Sequence, residues 1–286
     1  MKNSILVIGA TGNVGRPLVE ELRARGETIK VATRTPQRYP GQPGVTAVYF
    51  DYENPATYAP ALAGVDRVYA ISVPTDSGVM DIHGLIPSLQ QADLQHLVLV
   101  TGMPVIRSNG RLRHWEEVET PVVDSGIPYT LLRPGWFMQL FLEGFLFTML
   151  QQQRRLCWTS GDVQICPIDA RDIAAVAAVV LTQPGHEGQA YTLTGGEVLT
   201  LRDIAELLTQ ATGQPIPYAN ATVEELVRFI EEVGGFPGPK KGIHSIFSTT
   251  ERGVFAETTP IVAQLTGRTP RTFAQFVQEH ASIWRQ

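Results

Sequence analysis

Ile5-Leu6-Val7-Ile8-Gly9-Ala10-Thr11-Gly12-Asn13-Val14-Gly15 is the stretch that decides the fold. Its first four residues are an unbroken apolar run, the pattern of a strand covered on both faces. Beyond it, Val14, Leu18 and Leu22 recur at helical spacing, and the helix they predict ends near Gly26. The glycines therefore lie between a strand and a helix. In that context Gly9 permits a tight turn, Gly12 puts no side chain in the way of a diphosphate, and Gly15 lets the helix pack close to the strand. Amide hydrogens at the helix start, reinforced by the helix dipole, favour phosphate. The reading is a dinucleotide held by Gly9, Thr11, Gly12, Asn13, Val14 and Gly15.

Outward from this motif, short apolar runs alternate with helical patterns. Strands are predicted at Ile29–Thr33, Thr46–Phe50, Arg67–Ser72, Leu97–Val100 and Tyr129–Leu132, and helices over 55–63, 79–92 and 114–124. Such alternation implies βαβ units with right-handed crossovers. The expected class is α/β, a Rossmann-type doubly wound parallel sheet with a smaller, mainly helical C-terminal lobe for substrate. Residues 1–150 are read as the nucleotide-binding core. Residues 151–286 are read as a mixed segment that completes the core and forms the lobe. In that segment 172–181 is helical and Tyr191–Thr194 strand-like. Thr200 with Asp203, Thr222 with Glu225 and Thr272 with Gln275 open three further helices as capping boxes.

The end of the second strand bears on which nucleotide is held. Enzymes that use NAD place an acid there, about 20 residues past the glycines, for the ribose 2′-hydroxyl. Here the position reads Thr33-Arg34-Thr35. Arg34 can fork onto a 2′-phosphate, with Arg38 assisting, or be a plain surface arginine. NADPH is the expected cofactor. Topology puts Asp51 and Tyr52 beside the adenine, unless Asp51 is a helix cap, and Ser72 and Val73 near the linking riboses.

Bulk properties narrow the rest. The 286 residues are 43% hydrophobic, enough for a sizeable core. With 23 basic and 28 acidic residues the net charge is −5, which gives no bias toward nucleic acid or anionic membranes. Cys157 and Cys166 flank Trp158-Thr-Ser-Gly161, a turn between two short strands. Two cysteines suggest neither a disulfide scaffold nor a metal site, but buried thiols in a reducing, cytoplasmic setting. The start of the chain shows no basic segment ahead of a cleavable apolar run. The most apolar stretch, Gly135 to Leu150, is interrupted by Gln139 and Glu143 and is too short to span a bilayer.

Gly9–Gly15, Arg34, Ser125-Gly-Ile-Pro-Tyr-Thr-Leu-Leu-Arg-Pro-Gly135, Arg171-Asp-Ile-Ala174 and Leu265-Thr-Gly-Arg-Thr-Pro-Arg-Thr-Phe273 together resemble the NmrA-like group of atypical short-chain dehydrogenases. The resemblance implies the fold and an NADP cofactor. For activity it implies either NADPH-dependent reduction of quinones and triphenylmethane dyes or nucleotide sensing without turnover.

Ordinary short-chain dehydrogenases use Tyr-x-x-x-Lys, in which lysine lowers the tyrosine pKa for proton exchange. The four lysines here are Lys2, Lys30, Lys240 and Lys241, and none follows a tyrosine by four. The NmrA-like pattern often sets a histidine four residues before a glutamate. The glutamate corresponds to Glu119, and the histidine position holds Trp115 with His114 beside it. His114 is a candidate proton donor or a surface histidine, and Trp115 a packing residue or a platform for an aromatic ligand. Thr101 falls where the ordinary family keeps its catalytic serine, in reach of substrate or nicotinamide amide. Met103, Trp136 and Phe137 are candidates for an aromatic pocket wall, with core packing the alternative for the last two.

A quinone or similar electron-poor centre takes hydride without a protein acid, so position and a dry pocket suffice. The expectation is an NADPH-dependent oxidoreductase acting on a conjugated, aromatic or quinoid small molecule, as a monomer or homodimer. The rivals are a non-catalytic NADP(H)-sensing regulator that binds a protein partner, and a biosynthetic cyclase or isomerase.

Overall fold

The computed structural model describes residues 4–75, 78–80, 82–106, 112–113, 115–234 and 243–285. Its centre is a parallel sheet of seven strands: β1 (Ser4–Ile8), β2 (Thr28–Thr33), β3 (Val45–Tyr49), β4 (Arg67–Ile71), β5 (His96–Val100), β6 (Tyr129–Pro134) and β7 (Gln189–Leu193). From edge to edge they run β3-β2-β1-β4-β5-β6-β7. The order reverses between β1 and β4, so a crevice opens there, at the carboxyl ends of the strands.

Alternation along each buried strand feeds two layers. Ile5 and Val7 of β1, with Val98 and Val100 of β5, pack against α1 (Gly15–Ala24) and α6 (Ala170–Thr182). Leu6 and Ile8, with Leu97 and Leu99, face the other way. There they meet α2 (Tyr58–Leu62), α3 (Ile86–Gln91) and α4 (Glu116–Asp124). The doubly wound class expected from the alternating pattern is the one observed.

The chain's second half sends β7 and α6 into this sheet. Asp169, fully buried, caps α6 through the Arg171 N–H and also holds the Arg171 guanidinium and the Gln139 amide. Burial raises its carboxyl, and the Arg171 hydrogen bonds outweigh that, so it titrates below the ordinary carboxylate range. The rest of the second half gathers around a separate aromatic cluster. Its helices are α5 (Gly144–Gln153), α7 (Leu201–Thr212), α8 (Val223–Val233), α9 (Ile243–Glu251) and α11 (Phe273–Trp284), whereas α10 (Ile261–Thr266) packs on the sheet layer beside α6. Capping boxes open α7, α8 and α11 at Thr200, Thr222 and Thr272, as their sequences specify.

One local expectation is corrected. The helix read over 79–92 is instead a strand Gly78–Met80 paired with Val73–Thr75, a 3₁₀ turn Ile82–Leu85, and α3. Pro87 lies in the first turn of α3, where a missing N–H costs nothing, so the α-helix proper starts there. Two short strands flank the Trp158–Gly161 segment, as the sequence suggests, and each pairs elsewhere. Leu156–Trp158 pairs with Tyr218–Asn220, and Gln164–Ile165 pairs with Leu199–Thr200. Cys157 and Cys166 are buried free thiols. No helix among the described residues is long and apolar enough to cross a membrane.

Candidate functional site

The glycine loop closes the carboxyl end of β1, and each glycine answers a different constraint. Gly9 has φ of +80°, the left-handed region. A Cβ on Gly15 would lie 2.1 Å from the Gly9 carbonyl oxygen and 2.7 Å from the Ala10 Cα, so no side chain fits between helix and loop. A Cβ on Gly12 would meet only the Gly9 oxygen, at 3.3 Å. Gly12 therefore faces the crevice more than the core. Val14 precedes α1 and no side chain caps it, nor is there an acid in the first turn, so the positive helix end is left for an anion.

Beside the loop lies a cavity of about 570 Å³ lined by Thr11, Arg16, Glu20, Thr33, Thr35 and Arg38, among others. Two guanidinium groups and several hydroxyls thus share one hollow at the ends of β1 and β2. The Glu20 carboxylate is engaged by Arg23 at 2.5 Å and by Gln42 at 3.3 Å. Arg34 is exposed and is not part of the lining, whereas Arg38 is. Arg16 went unremarked in the sequence. Its signal was an arginine directly after the third glycine in a helix start without acids.

Further round the crevice the candidates divide. The Asp51 carboxylate accepts from the Glu53 N–H, closing its own turn. Tyr52 packs edge-on against Phe50 at 5.0 Å, and burial pushes its hydroxyl pKa up. Ser72 is buried, and its hydroxyl donates to the Val100 carbonyl rather than outward. Val73 opens a short strand. Asn13 donates its amide to the Glu143 carboxylate, which ties the glycine loop to the residue ahead of α5.

The end of β5 carries a half-buried polar cluster. The Thr101 hydroxyl donates to Glu119 Oε1 at 2.7 Å. Arg133, near the end of β6, grips the same carboxylate with two bonds, Nε to Oε1 at 2.9 Å and Nη2 to Oε2 at 2.6 Å. Glu119 is 4% exposed. Hydrogen bonding to Glu119 holds the Arg133 guanidinium above its ordinary pKa. The sequence pointed to Thr101 and Glu119 separately but not to Arg133. A single charge inside the apolar strand Tyr129–Pro134 was the available signal.

Next to this cluster, Trp115 lies across Gly102 and donates its indole N–H to the Met103 carbonyl at 3.2 Å. A Cβ on Gly102 would be 2.9 Å from the Trp115 nitrogen, so the glycine admits the ring. Trp115 is half-buried and Met103 buried. Trp136 is buried in the aromatic cluster, 5.4 Å from Trp158 edge-on and 6.3 Å from Phe255. Phe137 packs on the α1/α6 layer. His114 lies outside the described residues.

Comparison with known proteins adds independent findings. The model of the NmrA-like family matches residues 1–264. The NAD(P)H azoreductase of Xenophilus azovorans is 31% identical over 284 residues, covering 98% of this chain and 99% of the relative. A (4-alkanoyl-5-oxo-2,5-dihydrofuran-3-yl)methyl phosphate reductase of Streptomyces griseus is 32% identical, covering 98% of this chain and 99% of the relative. An NADPH-dependent quinone oxidoreductase of Escherichia coli, solved with NADPH, superposes with a TM-score of 0.83 at 25% identity, covering 96% of this chain and 99% of that one.

Proposed function

Because the chain belongs to the NmrA-like family, we propose that it is an NADPH-dependent reductase acting on a conjugated, aromatic or quinoid small molecule. The observation that carries this reading is the two-arginine cavity beside an uncapped helix start, at the carboxyl ends of β1 and β2. Those residues fit a dinucleotide with an additional phosphate. Gly12 leaves room for a diphosphate ahead of the uncapped start of α1, and Arg16 and Arg38 with Thr33 and Thr35 offer a cationic, hydroxyl-rich hollow for a 2′-phosphate. The relatives' names support the acceptor class, since azo compounds and quinones are both electron-poor conjugated systems.

When bound, the reduced nicotinamide supplies a hydride. The residues at the ends of β5 and β6 then have three tasks. Thr101 offers a polar contact at the crevice wall. Trp115 presents a flat apolar face, held in place by its bond to Met103. Trp136, Trp158 and Phe255 back the wall with packed rings that leave little room for water. For a quinone the balance is hydride to the acceptor, one proton from solvent, and release of hydroquinone with oxidised cofactor.

The test follows NADPH absorbance with a panel of quinones and azo dyes. Turnover with NADPH well above NADH is the expected result. Tight NADPH binding with no oxidation across the panel would overturn the reductase reading and leave a nucleotide sensor. Conversion of a substrate with no nucleotide consumed would leave a cyclase or isomerase.

A further inference from the structure

A threonine hydroxyl owns one hydrogen and two lone pairs, and unassisted it rotates freely between donor and acceptor roles. Thr101 does not have that freedom. Its hydrogen is directed to Glu119 Oε1 at 2.7 Å, and its own N–H is bound to the Leu132 carbonyl at 2.9 Å. Glu119 cannot turn away, because the Arg133 fork holds both of its oxygens and the carboxylate is 4% exposed. What Thr101 has left for the crevice is a lone pair.

We propose that Glu119 and Arg133 are a positioning pair that fixes Thr101 as a hydrogen-bond acceptor for a carboxamide N–H, and so sets the orientation of the nicotinamide. This rests on the dinucleotide reading above and deepens it. The polarity follows from the three-residue chain. Arg133 donates twice to Glu119, Glu119 accepts from Thr101, and Thr101 accepts from the ligand. A threonine so committed is not a proton donor to substrate. The protein then favours acceptors whose proton arrives from solvent, such as quinones, over simple ketones that need proton and hydride together.

The experiment compares binding of two nucleotides by calorimetry: NADPH, and its reduced 3-acetylpyridine analogue, in which a methyl ketone replaces the carboxamide and removes the N–H. The wild-type protein is expected to prefer NADPH by about tenfold, the worth of one hydrogen bond. Thr101→Val should bind both nucleotides equally, and Thr101→Ser should restore the preference. In Glu119→Gln the amide oxygen takes the place of Oε1, where Thr101 and Arg133 Nε both donate, so the preference should be kept, whereas Glu119→Ala removes that acceptor, frees the hydroxyl hydrogen to turn outward and should lessen it. Adding Glu119→Ala to Thr101→Val should change the ratio no further.

Thermal unfolding of each variant separates a structural loss from this one, since a merely destabilised protein still discriminates between the two ligands. A Thr101→Val protein that keeps the full preference for NADPH overturns the proposal while leaving the dinucleotide reading intact. Failure of the wild type to bind either nucleotide removes both. If Glu119→Ala does not fold, the Thr101 pair alone decides.

Discussion

The two walls of the crevice are built from different material. On the β1 side the loop is backbone, three glycines and an uncapped helix start, and the cavity beside it takes one arginine from α1 and one from the 3₁₀ turn after β2. On the β5–β6 side it is side chains gathered from distant positions. Thr101, Glu119 and Arg133 converge from a strand end, a helix and another strand, while Trp136, Trp158 and Phe255 pack in the aromatic cluster that includes Met103. A backbone wall suits a ligand that recurs across many proteins. A side-chain wall is where one protein's substrate preference can be set without disturbing the fold.

The sharpest way to break this contrast is within the glycine loop. Gly15→Ala forces a Cβ to 2.1 Å from the Gly9 oxygen, with backbone on both sides, so soluble folded protein should be lost or its melting temperature fall steeply. Gly12→Ala meets one oxygen at 3.3 Å, and should cost less than about 1 kcal/mol while weakening NADPH binding at least tenfold. Thermal melts and calorimetry on the two variants check this. Wild-type affinity in Gly12→Ala would show that the loop is structural and no phosphate crosses it.

On the opposite wall the order should reverse. Trp136 is 5% exposed and sits against Trp158 and Phe255, so Trp136→Ala should cost about 3–5 kcal/mol of stability by denaturant titration. Its affinity for NADPH should stay within about threefold of wild type. A large drop in NADPH affinity at unchanged stability would move Trp136 from the aromatic core into the crevice.

A smaller effect sharpens the first wall. Arg38 lines the cavity and Arg34 does not. Arg38→Ala should weaken NADPH about tenfold to a hundredfold, as loss of a charge-assisted bond does, and leave NADH binding unchanged. Arg34→Ala should have the lesser effect on NADPH. Equal losses of NADPH and NADH in Arg38→Ala would remove the case for a 2′-phosphate in this hollow.

The same contrast explains what could be read before the structure. The glycine loop, the strand alternation and the capping boxes at Thr200, Thr222 and Thr272 are determined within a few residues, so spacing alone shows them. That Arg38 and not Arg34 lines the cavity follows from the path of the chain through Thr35 and Pro36, where a 3₁₀ turn follows β2. Spacing from the glycines does not encode that. The Glu119–Arg133 pair joins residues fourteen apart on a helix and a strand. Only the packing of α4 on β6 brings them together, and the isolated charge in an apolar strand was its one trace. The Ser72 hydroxyl is engaged by the Val100 carbonyl of the neighbouring strand, a partner that spacing along the chain does not reveal.

The smallest expected effect lies at the other end of the strands, away from both walls. His96 begins β5 and is 4% exposed. Thr130 gives its hydroxyl hydrogen to the His186 carbonyl at 2.5 Å, so it accepts from His96 Nε2 at 2.8 Å. Burial lowers the His96 pKa from its ordinary 6.5, against the opposing pull of Glu187. The sign follows by linkage. Above pH 6.5 neither the folded nor the unfolded chain carries this proton, and the residue contributes nothing to the pH dependence. As pH falls through 6.5, the unfolded chain takes up a proton that the folded one refuses, so stability declines until the depressed folded value is reached. His96→Gln keeps a donor for Thr130 and removes the titration. Melting temperatures from pH 8 down to pH 5 should therefore fall less steeply in the variant than in the wild type. Because His96 and the glycine loop sit at opposite ends of the sheet, the pH dependence of NADPH affinity should be the same in both proteins. Parallel melting curves would show that His96 takes up its proton as easily folded as unfolded, and a changed NADPH profile would show that the two ends of the strands are coupled.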